Sequence, residues 1–87
     1  MMTVYGMTAC IDTMKAVADL EEQGIPFRFR NFASDTSALK EFLKIRDDER
    51  FHHVFDPVRE KGGIGIPLFV SEDGRASLDW KQLKNKT

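Results

Sequence analysis

The chain has 87 residues, 41% of them hydrophobic and 31% charged, with a formal net charge of −1. That length predicts one domain over residues 1–87, with a modest core, because so short a chain buries only roughly 60–65% of the surface its unfolded form exposes. The charge balance and the lack of a basic, aromatic-interleaved stripe argue against nucleic-acid binding, and the short apolar runs argue against membrane insertion. The single cysteine excludes an internal disulfide and fits a reducing compartment. With no basic n-region or apolar h-region near Met1–Gly6, the expectation is a cytoplasmic protein.

Thr3-Val4-Tyr5 is a short β-prone run stopped by Gly6. Thr8 is the expected cap of the helix that follows, and Asp12 falls in its first turn, where negative charge suits the dipole. Met14, Val17, Ala18 and Leu20 are its predicted inner stripe, and Gly24 with Pro26 its stop. Phe27–Phe32 reads as an edge strand with alternating phenylalanine and arginine. Ser34 and Asp35 open a second helix with Leu39, Phe42 and Leu43 inward. Phe51, Val54, Phe55 and Val58 form a third stripe, which Asp56-Pro57 is expected to split, with Gly62-Gly63 ending it. Pro67–Val70 and Arg75–Leu78 are strands joined by a Glu72-Asp73-Gly74 turn. Asp79 and Gln82 are spaced as a capping box for a last helix with Trp80 and Leu83.

The order β-α-β-α-(α)-β-β-α implies two parallel strands with a right-handed crossover, then an antiparallel hairpin. The predicted class is α/β, with a four-stranded mixed sheet flanked by helices in the order of the thioredoxin fold.

Cys10 opens the first helix directly after a strand and loop. A thiol at a helix N-terminus meets the positive end of the dipole, and such positions favour the nucleophilic thiolate. The plain alternative is a buried structural cysteine. Proline is the one residue for which a cis peptide is cheap, and Pro67 stands before a strand; a proline at a strand's first residue is also ordinary in itself. Adjacent His52 and His53 lack metal-ligand spacing, and Lys40 and Lys44 read as a solvated helix flank.

The strand–loop–cysteine–helix run Val4–Thr13, the Gly24-Ile25-Pro26 link, Gly65-Ile66-Pro67 before a strand, and Leu78-Asp79 after the hairpin together resemble glutaredoxin over almost the whole chain. The nearest pattern is a small monothiol "glutaredoxin-related" group. The resemblance implies a cis Pro67 facing Cys10, with Ile66 backbone groups pairing an extended thiol peptide. It implies that Asp79 holds the ammonium of glutathione besides capping its helix, and that Thr13 donates to the Cys10 sulfur. Glutathione would be the co-substrate, with glutathione mixed disulfides as partners and no metal.

The motif reads Cys10-Ile11-Asp12-Thr13. Thr13 occupies the place of a resolving cysteine, Asp12 that of an aromatic residue, and Met7 that of a basic residue. The leading expectation is a thiol-disulfide oxidoreductase using a monothiol, glutathione-dependent mechanism through Cys10. The rivals are a thioredoxin-fold binding or adaptor protein with weak or no turnover, and a glutathione-ligated iron–sulfur carrier.

Overall fold

The computed structural model describes residues 1–84. In chain order the elements are β1 (Met2–Gly6), α1 (Ile11–Glu22), β2 (Phe27–Asn31), α2 (Thr36–Asp47), a 3-10 turn (Glu49–Phe51), α3 (His52–Arg59), β3 (Leu68–Val70), β4 (Ala76–Ser77) and α4 (Trp80–Lys84). The sheet order is β2-β1-β3-β4. β1 and β2 run parallel, with Met2 opposite Phe27. β3 is antiparallel to β1, with Tyr5 opposite Leu68, and β4 is antiparallel to β3, with Phe69 opposite Ser77. The result is a mixed α/β structure with a four-stranded mixed sheet and flanking helices. Among the described residues, no helix is long and apolar enough to cross a membrane.

The period-2 alternation of the strands builds a core on each sheet face. Val4 and Phe69 join Leu20, Trp80 and Leu83 on the face covered by α1 and α4. Tyr5 and Leu68 join Phe42 and Phe55 on the face covered by α2 and α3. There Phe42 meets Phe55 edge-on at 5.9 Å and Phe32 at 5.1 Å between ring centroids. Burying an aromatic side chain is worth roughly 1.5–3 kcal/mol, so these rings anchor the second face.

The arginine side of β2 is only half solvated. Arg28 is exposed, but Arg30 reaches α2, placing Nε 3.1 Å and a terminal nitrogen 2.6 Å from the two Glu41 carboxylate oxygens. It also donates to Asp35 at 3.2 Å, and the Tyr5 hydroxyl donates to Glu41 at 3.2 Å. The Arg30 hydrogen bonds hold the Glu41 carboxyl below its usual range. Burial first, then the Glu41 charge, push the Tyr5 phenol up. Asp35 is lowered chiefly by the Ser37 backbone N–H that it caps.

Several sequence expectations need correction. The cap of α1 is Cys10, not Thr8, and no side chain bonds the helix end. The buried face of α1 is Thr13, Val17 and Leu20, while Met14 and Ala18 are exposed. On α2 the buried residues are Ala38 and Phe42, whereas Leu39 and Leu43 face outward. On α1, Thr13 is turned inward where Gly6 lets the helix press on β1, a closeness that apolar spacing alone does not register. Pro57 is exposed and stays inside α3. The break falls before His52, where the Asp48 carboxylate accepts from the Arg50 N–H and starts the 3-10 turn. β4 is reduced to Ala76–Ser77.

Candidate functional site

The strand register brings three separate segments to one end of the sheet. Tyr5 lies opposite Leu68, so the loop leaving β1 meets the segment entering β3. Phe69 lies opposite Ser77, so the chain leaving β4 arrives beside that same segment. The groove formed there has a volume of about 830 Å³ and is lined by Cys10, Ile66, Pro67 and Asp79, with Trp80 and Ile64 among its apolar walls. Ligands of α/β folds bind at sheet ends of this kind, where loops diverge.

Cys10 is half-buried and free. Its backbone is extended (φ −93°, ψ 118°), its N–H donates to the Met7 carbonyl at 3.0 Å, and its carbonyl accepts from Met14 at 3.1 Å. The thiol therefore sits at the helix N-cap without any side chain competing for the helix end.

Two glycines set the shape of this region. A Cβ on Gly6 would lie 2.5 Å from the Thr13 hydroxyl oxygen, so only glycine lets α1 press so closely on β1. Gly65 has φ +96°, and a Cβ there would lie 2.6 Å from the Phe55 ring. Gly65 is thus seated against a buried aromatic, and Ile66 packs on the same cluster. The Ile66–Pro67 peptide is cis, the isomer that the resemblance implies.

Thr13 is not in the groove. It is fully buried against Gly6, and its hydroxyl has no hydrogen-bond partner, so it makes no bond to the Cys10 sulfur. The close approach of α1 to β1 turns it inward, away from any ligand.

Asp79 lines the groove and caps α4, its carboxylate accepting from the Lys81 N–H at 3.0 Å. The predicted capping box is only half made. Gln82 does not reach back to Asp79; it accepts from the Ser77 hydroxyl at 2.8 Å. Ser77 in turn accepts from the Asp79 N–H at 3.0 Å, so β4 and α4 are tied through that hydroxyl.

The sequence reading missed Lys15 and Asp19, which line the groove with Asp12. Their spacing of three and four residues along α1 places all three on one helix flank, a signal available from the sequence once the helix is assigned. Asp12, Lys15 and Asp19 make no ion pair or side-chain hydrogen bond among the described residues.

No family model matches the chain, and no solved structure matches it. An uncharacterized protein of Haemophilus influenzae is 31% identical over 75 residues, an alignment spanning 86% of this chain and 84% of that protein. Sharing that identity over most of both lengths, the chain belongs to the same family as the Haemophilus influenzae protein.

Proposed function

We propose that the chain is a thioredoxin-fold, glutaredoxin-like protein that carries out thiol–disulfide exchange through Cys10 by a monothiol, glutathione-dependent mechanism in a reducing, cytoplasmic compartment. The observation that carries this reading is the convergence of Cys10, Ile66, Pro67 and Asp79 on one groove from three distant parts of the chain. A structural cysteine would have no reason to face an open groove from a helix N-cap.

In this mechanism the Cys10 thiolate attacks the glutathione sulfur of a mixed disulfide. The old S–S bond breaks, a Cys10–glutathione disulfide forms, and the substrate leaves as a thiolate that takes a proton from water. The substrate sulfur is reduced and Cys10 oxidised. With no second cysteine in the chain, a reduced glutathione thiolate then attacks the bound glutathione sulfur. That step frees Cys10 and releases oxidised glutathione, which carries away the electron deficit. In this reading Asp79 meets the glutathione ammonium, and the Ile66 backbone pairs with that of the tripeptide through main-chain hydrogen bonds.

Asp12 beside Cys10 in the groove favours a second reading, an adaptor that binds through this groove without fast turnover. A carboxylate there repels the carboxylates of an incoming glutathione. The test is thiol release from a glutathione mixed disulfide in the presence of reduced glutathione, with Cys10→Ser as control. Catalysed release that disappears in the variant supports the enzyme. Binding of the mixed disulfide without catalysed release supports the adaptor, and neither result removes both.

A further inference from the structure

We propose that the α1 side of the groove docks the polypeptide half of the mixed disulfide and selects a basic segment with apolar side chains beside its cysteine. This inference rests on the exchange reading above and names its substrate class.

The groove is lined by the carboxylates of Asp12, Asp19 and Asp79 against the single ammonium of Lys15. On other faces Arg30 matches Asp35 and Glu41, Arg50 matches Asp48 and Arg75 matches Asp73, while Asp47, Glu49, Asp56 and Glu60 have no ion pair among the described residues but do not line this groove. The α1 carboxylates Asp12 and Asp19 have no such partner among the described residues. Glutathione brings two carboxylates and one ammonium, so it adds negative charge and does not balance the rim. In this reading the balancing charge comes from the other half of the disulfide.

The walls supply the second part of the specificity. Ile64 in the groove is 55% exposed, and Ile11 next to Cys10 is 73% exposed. β-branched side chains left this open beside a thiol offer apolar contact to residues flanking an incoming cysteine. An apolar floor with a rim of one sign of charge is complementary to an amphipathic segment of the opposite sign.

Within the exchange step this docking changes no bond. Cys10 still attacks the glutathione sulfur, the glutathione–peptide S–S bond breaks, and the peptide leaves as a thiolate that is protonated by water. The groove acts on encounter and hold, so its effect appears in the second-order rate and in its salt dependence.

Three short peptides with one central cysteine flanked by leucines, and bearing outer lysines, glutamines or glutamates, would each be prepared as the mixed disulfide with glutathione. The measurement is the rate of glutathione transfer to Cys10 by intact mass, each rate divided by that of a neutral small thiol on the same peptide. The expected order is lysine, glutamine, glutamate, with the extremes differing on the order of tenfold at low salt and converging at high salt. In the Asp12→Asn/Asp19→Asn variant the lysine-to-glutamate ratio should collapse towards one. Any change in thiol reactivity cancels in that ratio. Equal rates for the three peptides, a reversed order, or a ratio unmoved in the variant would overturn the docking inference while leaving exchange standing. Failure of every peptide to transfer glutathione would overturn the exchange reading and this inference with it.

Discussion

Carboxylates are used in opposite ways on the two sides of this molecule. On the flank where α2 covers β2, Glu41 and Asp35 close on Arg30, and Tyr5 adds its hydroxyl to Glu41. At the groove, Asp12 and Asp19 stand without an ion partner among the described residues. The first set ties a strand to a helix and contributes to folding. The second contributes little to holding the chain together, which leaves its charge available to a ligand. The difference lies in geometry: β2 presents a guanidinium fork at the distance of α2, whereas α1 faces open groove. A planar fork can bond both oxygens of one carboxylate, as Arg30 does with Glu41.

The groove's backbone is held by close packing at Gly65, and that gives the largest expected effect. Gly65→Ala combines a disfavoured backbone angle with a clash into the buried Phe55 ring. It should cost roughly 2–4 kcal/mol of stability, measured by urea unfolding. A stability change near zero would mean that the loop does not rest on Phe55.

The paired flank should announce itself in acid. Glu41 has a folded-state pKa below its ordinary 4.5, chiefly through its bonds from Arg30. Its contribution is therefore present above about pH 4.5 and is lost as pH falls through the lower folded value. Glu41→Gln should lower the melting temperature by a few degrees at neutral pH and flatten this acid limb. An acid limb unmoved in Glu41→Gln would contradict the tie between β2 and α2.

The smallest effect is kinetic. Asp12→Asn removes a negative charge from beside Cys10. The variant should be alkylated by iodoacetate roughly twofold faster than the parent, relative to iodoacetamide, because the anionic reagent is less repelled there. An unchanged ratio would show that the Asp12 charge is not felt at the sulfur.

The strand order was readable because a β-α-β start and a hairpin finish leave few arrangements. The caps at Asp35 and Asp79 were readable because a carboxylate before a helix has a local job. The inner faces were less so. Met14 and Leu39 have the hydrophobicity of core residues, yet Thr13 and Ala38 are the ones buried. The choice at Thr13 depends on how near Gly6 allows the helix to come, which is a tertiary distance. For the groove, the sequence pointed to Cys10, Ile66, Pro67 and Asp79, which meet there. It misassigned Thr13 for that same reason. The acidic α1 flank lay in plain view but gains meaning only once it lines one groove with Cys10 and Asp79.

The most direct test of the account is intact mass of the native protein after incubation with oxidised glutathione. The account predicts a single glutathione adduct on Cys10, absent in Cys10→Ser and removed by reduced glutathione. An unmodified native protein that takes the adduct only after unfolding would contradict it, because Cys10 would then be a structural residue.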